Sequence, residues 1–187
     1  MALASVMLLG MFLYPVWQIN LSAPQFPEGL ELNIWVNKLS GGTDDGTDII
    51  QNINILNHYI GMKYIYPDSI PELKYFPIII FVMVGLGLLF TAFGKPSGYL
   101  IWFILMVILG ILAIYDFYLW LYDYGHDLDP NAPIQIPGMS YMPPLFGEKD
   151  LLNFYVTSYP HMGTAFMSLA MVFSALAFWT SRNKKKK

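Results

Sequence analysis

The stretch YLIWFILMVILGILAIYDFYLWLYDYGHDLDP, residues 99–130, decides the fold of this chain, because its two halves belong in different solvents. Residues 99–115 carry no charge, and at about 1.5 Å of rise per residue a helix of this length covers roughly 25 Å. The first acid, Asp116, therefore falls near one face of a bilayer. The remainder is acidic and aromatic and carries His126. The stretch predicts a membrane-spanning helix that ends in a polar outer surface.

Composition places the whole chain in a membrane. Of its 187 residues, 56% are hydrophobic and only 12% are charged, which is too apolar for a soluble domain of this size. The absence of cysteine excludes disulfides, cysteine-ligated zinc, iron–sulfur clusters and thiol catalysis. Nothing in the sequence resembles a catalytic triad, a phosphate loop or a nucleotide fingerprint, so we do not expect an enzyme, although the chain could be a non-catalytic subunit of one.

Hydropathy divides the chain into four apolar stretches, and we predict an all-α membrane protein with four transmembrane helices. A small extracytoplasmic cap would hold one amphipathic helix, a candidate short strand and a proline-rich loop. A signal peptide is the rival interpretation of the first stretch, although that stretch lacks a basic beginning and a small-residue cleavage site. The predicted segments are helix 1 at 1–19, outer segment 1 at 20–70, helix 2 at 71–93, a cytoplasmic turn at 94–98, helix 3 at 99–124, outer segment 2 at 125–158, helix 4 at 159–181 and a basic tail at 182–187.

Local signals refine this outline. The apolar spacing after Thr47 predicts the amphipathic helix, with Gly61 as its end. A further short helix is predicted at 147–155. Ser69 and Ser158 are each followed by a proline two residues later, a pattern that is typical of helix N-termini, and we predict them as the N-caps of helices 2 and 4.

Charge is segregated between the two sides of the predicted membrane. The positive-inside rule makes the side with Lys95, Arg182 and the lysines at 184–187 cytoplasmic, so both termini would lie inside a bacterial inner membrane. All thirteen acids and the other four lysines fall outside, which gives −9 outside and +6 inside and sums to the net charge of −3. Such an outer face would attract metal cations or a basic partner, or it is simply a solvated acidic surface.

Histidine and methionine are the candidate metal ligands. The three histidines, His58, His126 and His161, all fall on the outer side. Imidazole and thioether without cysteine are a ligand set that suits copper, especially Cu(I). We predict that the three histidines converge at the outer membrane face to form a copper site, with a nearby methionine supplying thioether. The alternative is that the histidines form hydrogen bonds at an interface and the methionines pack. The methionines near them are Met62, Met139, Met142 and Met162.

Acids along the organising helix form a second candidate group. Asp116 and Asp123 are seven residues apart and share one helix face, and Asp127 follows Asp123 by four. A carboxylate beside lipid normally faces protein or water and often marks a proton path, and Asp127 could also orient a metal-binding imidazole. The alternative role is structural, as partners of Lys63 or Lys74.

Three motifs carry a resemblance: NHYIGMK at 57–63, YGHDLDP at 124–130 and PGMSY at 137–141. In them the chain resembles a family of small membrane proteins encoded in nitrous-oxide reductase gene clusters, near a copper-chaperone lipoprotein. The similarity extends over almost the whole chain, but the motifs carry no established mechanism, so no residue role is transferred. The resemblance implies a part in denitrification, as copper supply to a periplasmic copper enzyme or as its membrane support.

The sequence thus favours a non-enzymatic accessory protein that binds or delivers copper at the periplasmic face. Its partners would be the bilayer and a copper enzyme or copper chaperone; the basic tail is typical of a stop signal, and nucleic acid is not expected. The first alternative is a structural subunit whose acidic cap docks a larger enzyme or a basic electron carrier. The second is a subunit of a quinol-oxidising or proton-moving complex that uses Asp116 and Asp123.

The predicted orientation is testable with fusions. Reversing it would carry Lys95, Arg182 and the basic tail across the membrane, which is strongly disfavoured. A reporter that is active only outside the cytoplasm should therefore be silent when fused after Lys187 and active when inserted at Gly42. The opposite pattern of activity would show that the orientation is reversed.

Overall fold

The computed structural model describes residues 1–41 and 48–184. Residues 42–47, with Gly42, Asp44 and Asp45, lie outside the described residues, as do the tail residues 185–187. The elements in chain order are α1 (Ala2–Met7), which continues as a 3₁₀ helix (Leu8–Phe12), β1 (Trp17–Ala23), β2 (Phe26–Ile34), β3 (Leu39–Gly41), α2 (Ile49–Ile60), a 3₁₀ turn (Pro67–Ser69), α3 (Glu72–Phe93), α4 (Pro96–His126), β4 (Gly147–Leu151), β5 (Phe154–Pro160) and α5 (Met162–Lys184).

A five-stranded antiparallel sheet makes the all-α prediction wrong. Its strand order is β3-β2-β1-β5-β4, so the N-terminal strand β1 lies at the centre and pairs with β2 on one side and β5 on the other. The error arose at 1–19, where mean hydropathy concealed a change of period. Apolar residues at 17, 19 and 21 alternate with polar residues at 18, 20 and 22, which is the pattern of a strand with one covered face.

Three helices are long and apolar enough to cross a membrane: α3, α4 and the Met162–Asn183 part of α5. By this measure of length and composition the chain is a membrane protein. The outward faces of these helices are apolar and consistent with lipid contact, as at Phe81, Ile108 and Leu176. The prediction of a fourth spanning helix at 1–19 is wrong, because the apolar helix Ala2–Phe12 is shorter and the chain then enters β1.

The helices pack around α1, which contacts both α3 and α5. Two buried polar side chains inside the bundle have hydrogen-bond partners, which they need because lipid cannot form hydrogen bonds with them. The buried indole N–H of Trp102 donates to the carbonyl of Met83 at 2.8 Å, and the buried hydroxyl of Ser174 donates to the carbonyl of Tyr99 at 3.2 Å. These two hydrogen bonds link α4 to α3 and to α5.

The outer end of α4 leaves the bundle and packs against the sheet. Leu121 and Tyr124 bury their side chains with Ile19 of β1, Val156 of β5 and Ile53 of α2 in one apolar core. The covered face of the sheet therefore rests on α2 and on the last turns of α4. The sheet, α2 and the last turns of α4 form a second domain, which we call the outer domain. It lies at the membrane end opposite Lys95 and Arg182, because α4 begins beside Lys95 and α5 runs antiparallel to α4.

Three other local predictions are wrong, and the prediction of the amphipathic helix is confirmed. Residues 147–155 form β4 and the start of β5 rather than a helix, and Ser158 lies in β5 rather than capping a helix. Ser69 donates to the carbonyl of Tyr66 and does not cap α3. The amphipathic helix is present as α2, and it ends at Gly61, whose φ of 81° is the left-handed conformation that glycine adopts readily.

Ser158 instead joins β5 to β1 in the core. Its buried hydroxyl accepts a hydrogen bond from the Trp17 indole N–H at 2.8 Å and donates one to the carbonyl of Leu145 at 3.2 Å. Ser158→Ala leaves both groups buried and unpaired, which should lower the free energy of unfolding by about 1–3 kcal/mol.

Unfolding of the purified protein, followed by tryptophan fluorescence, measures this loss. Ser168→Ala is the matched control, since its hydroxyl binds only the carbonyl of Thr164 one turn earlier in α5. Equal stabilities of the two variants would show that the Trp17–Ser158 bond contributes nothing.

Candidate functional site

Among the described residues, the other face of the sheet contributes no side chain to either apolar core and is lined by polar and aromatic side chains, of which Asn33 is buried and the others are partly or fully exposed. Alternation along each strand sends these side chains away from the core. We call this surface the open face. It consists of Gln18, Asn20, Ser22, Glu31, Asn33, Ser40, Glu148, Asp150, Tyr155, Thr157 and Tyr159.

An amide and carboxylate network holds the middle of the open face. The side-chain amide of Gln18 donates to the side-chain oxygen Oδ1 of Asn33 at 3.1 Å and also to the carboxylate of Glu31. The Asn33 amide donates to the same Glu31 oxygen at 3.1 Å. Glu31 is therefore held in one orientation with its charge uncancelled, because both donors are neutral.

A second carboxylate, Glu148, is held by two tyrosines at the β4 side of the open face. The hydroxyl of Tyr155 donates to one of its oxygens, and the hydroxyl of Tyr159 donates to the other at 3.2 Å. The hydrogen bond to Glu148 raises the pKa of Tyr155 to about 12, and partial burial with the nearby Glu148 charge raises that of Tyr159. Both phenols are thus neutral hydrogen-bond donors at physiological pH.

All charged strand residues on the open face are acidic: Glu31, Glu148 and Asp150. A cation, Lys38, lies at the edge, in the turn after β2, where its ammonium is 4.6 Å from the centre of the Trp35 ring. The open face is therefore an anionic, hydrogen-bonding surface whose side chains are largely fixed.

Next to the sheet, a cleft of about 360 Å³ opens between the end of α2 and the end of α4. His58 and Met62 line one wall, and Asp127 and Asp129 line the other. Between them Lys63 binds Asp123 at 2.8 Å and Asp127 at 2.7 Å, and these two hydrogen bonds raise the pKa of Lys63. We call this the outer cleft.

The predicted proton-path acids thus have different surroundings. Asp123 and Asp127 are ion-paired with Lys63, which is the structural role that the sequence left open. All three side chains are more than 40% exposed, so these pairs contribute little to stability. Asp116 lies two turns nearer the bundle and is half-buried.

The three histidines lie on different elements. His58 stacks on Tyr64 at the end of α2, with the ring centres 6.1 Å apart. His126 stacks on Tyr122, and its Nδ1 lies 2.9 Å from the Tyr122 carbonyl oxygen. His161 lies between β5 and α5, where its Nδ1 is buried with no partner among the described residues.

Of the predicted thioether ligands, Met62 lies beside a histidine in the outer cleft. Met142 packs against the core of the sheet, and Met139 and Met162 are exposed. The described residues contain no group of three histidines or acids that could hold a metal ion. The copper site stays a prediction, now centred on His58 and Met62.

The open face was not predicted from the sequence. Three of its strands overlap stretches predicted as helices: β1 overlaps 1–19, and β4 and β5 overlap 147–155. The signal that could have found β1 and β5 is the alternation of polar and apolar residues from 17 to 23 and from 154 to 157.

No protein-family model, curated protein or solved structure matches this chain. Its function is therefore argued from its own geometry.

Copper binding is tested by titrating the purified protein with Cu(I) in the presence of a competing chelator. We expect His58→Ala and Met62→Leu each to lower the affinity by about tenfold or more, and His126→Ala to leave it unchanged. Protons compete with the metal for the imidazole nitrogen, so binding should weaken as the pH falls. Equal losses with all three histidines would support convergence instead, and a protein that retains no copper contradicts the prediction.

Proposed function

We propose that this protein is a membrane-anchored, non-enzymatic docking subunit whose open face binds a basic protein partner. The observation that carries this proposal is the asymmetry of the sheet. One face is packed on α2 and α4, and the other takes no part in the apolar cores of the described residues and has acids as its charged strand residues. A polar sheet face left open is common in antiparallel sheets, but here its carboxylates are positioned by dedicated hydrogen bonds.

Positioned carboxylates suit the recognition of lysine and arginine. Glu31 and Glu148 are already fixed by neutral donors, so a cationic partner does not have to order them on binding. Each carboxylate retains acceptor sites, because an ionised carboxyl group offers about four lone-pair positions. The open face therefore offers charge complementarity without the cost of breaking an existing ion pair.

The size of the open face favours a transient complex. Five strands at about 4.8 Å spacing and about seven residues of strand length give a surface of about 20 by 20 Å, or roughly 400 Å². A stable complex buries about 800 Å² on each partner, and smaller interfaces are typical of weak redox and transport encounters. We therefore favour an exchangeable basic protein, such as an electron carrier or a metal carrier, over a permanent subunit.

Orientation supports the same proposal. The domain with the open face lies at the membrane end opposite Lys95 and Arg182. By the positive-inside rule, this domain would face the periplasm of a bacterial inner membrane. There it could steer a basic protein to the membrane surface electrostatically.

Copper delivery is the second candidate, favoured by the placement of His58 and Met62 in one cleft. It is compatible with docking, since a copper protein could bind the open face while exchanging metal at the outer cleft. The resemblance to proteins of nitrous-oxide reductase gene clusters supports this version of the proposal.

Site-specific photo-crosslinking in the native membrane tests the docking proposal. A photoreactive amino acid at Thr157, on the open face, should yield a discrete crosslinked product with a basic protein. The same group at Ile55, exposed on α2 away from the open face, should not. The yield of crosslinked product at Thr157 should fall severalfold between low salt and about 0.5 M salt, because added salt screens the attraction between the acidic face and a basic partner.

Matched carboxylate variants complete the test. Glu148→Gln combined with Asp150→Asn should lower the yield severalfold, whereas Asp68→Asn combined with Glu72→Gln removes the same charge elsewhere and should not. No product at Thr157, or equal losses in both double variants, contradicts docking through the open face.

A further inference from the structure

A cavity of about 70 Å³ lies inside the outer domain, between the covered face of the sheet and the helices α2 and α4. Its walls are mainly aliphatic and aromatic, including Leu30, Ile53, Leu121 and Val156. Met62 and Tyr141 also line the cavity. This cavity is distinct from the open face, which lies on the other side of the sheet.

Tyr141 is the unusual residue in this wall. Only 2% of its surface is exposed, and its buried hydroxyl has no hydrogen-bond partner among the described residues. Burying a hydroxyl without a partner is unfavourable, and native structures rarely leave such a group unpaired. The phenol at this position therefore indicates a partner that arrives from outside the chain.

Water is a poor candidate for that partner. A buried water needs two to four polar neighbours. Two other polar side chains in the wall already donate one hydrogen bond each: the Asn57 amide to the carbonyl of Lys63 and the Tyr124 hydroxyl to the carbonyl of Tyr64, both at 3.1 Å. A water beside Tyr141 would sit in an otherwise apolar cavity.

We infer that this cavity binds a small lipophilic molecule with one hydroxyl or carbonyl oxygen, which hydrogen-bonds to the Tyr141 hydroxyl. The apolar walls enclose the body of the ligand, and Tyr141 selects for the single oxygen. The inference does not rest on docking at the open face or on copper.

Size sets the upper limit for this ligand. A dry cavity of about 150 Å³ accommodates benzene, so the 70 Å³ present here takes at most a single ring, and only if the wall moves. Met62 is the element of the wall that can move, because it lines both the cavity and the outer cleft and methionine is flexible. Rotation of Met62 would open the cavity to the cleft and provide the entry route.

Phenol and toluene form a matched pair of probes, since they share a shape and differ in the oxygen. The full-length protein in nanodiscs, with ¹³C-labelled methionine methyl groups, is titrated with each probe by NMR. We expect the Met62 signal to shift saturably with phenol, whereas the signal of Met162, which is exposed at the start of α5, shifts only linearly as phenol partitions into lipid.

Tyr141→Phe separates the ligand from water. In this variant the Kd for phenol should rise about five- to tenfold, as expected for one lost hydrogen bond, while toluene binding changes less than twofold. Without ligand the variant should be at least as stable as the wild type, because an unpaired hydroxyl has been removed.

A second variant, Met62→Ile, has a stiffer side chain and should slow phenol exchange while leaving Tyr141 in place. Because this variant lacks the Met62 methyl group, exchange is followed on the NMR signals of phenol itself. Absence of saturable binding to the wild type, or unchanged phenol affinity in Tyr141→Phe, would overturn the inference. So would a marked loss of stability in ligand-free Tyr141→Phe, because it would show that water already satisfies the hydroxyl.

Discussion

The structure depends on one constraint, namely that α4 is a single uninterrupted helix of 31 residues from the bundle into the outer domain. Lipid forces its inner half to satisfy every backbone hydrogen bond within the helix. The outer half continues the same helical pattern of backbone hydrogen bonds. There the sheet replaces lipid as the apolar neighbour of Leu121 and Tyr124. Near the end, Gly125 lets the backbone of Met142 approach so closely that a Cβ would collide with it. The loop that carries Tyr141 is thereby anchored to α4, through the Tyr141 N–H and the Gly125 carbonyl.

Apolar burial, rather than charge, holds the outer domain together. Burying one large aliphatic or aromatic side chain contributes about 1.5–3 kcal/mol, and the core around Ile19, Leu32 and Val156 contains eleven buried side chains. The exposed pairs of Lys63 contribute about 0–1 kcal/mol each. Carboxylates are consequently free to serve recognition, since the fold does not need them. This division explains how the open face can remain acidic without weakening the domain.

Much of the membrane portion was accessible from the sequence, because long apolar runs have few alternatives in lipid. The helices α3, α4 and α5 follow from that rule, and α2 follows from its periodicity and Gly61. The sheet could not be predicted from the sequence in the same way. Its central strand is joined to an apolar helix, so mean hydropathy over 1–19 hides Trp17–Ala23, and its partner β5 is remote in sequence. Whether His58, His126 and His161 converge could not be predicted from the sequence either, because they lie on separate elements and a shared membrane side does not fix the distances between them.

The large sequence separation between β1 and β5 also sets the order in which the strands can pair during synthesis. Trp17 and Ser158 are 141 residues apart, and the spans α3 and α4 are synthesised between them. At about 5–20 residues per second, ribosomes need about 7–28 s to cover that distance. During this interval β1 can pair with β2 as a hairpin, but its other edge must wait until both spans have entered the bilayer and β5 has emerged. Closure of the sheet thus reports that insertion of the preceding chain is complete, and a nascent protein with a misplaced span would leave that edge open to quality-control proteases.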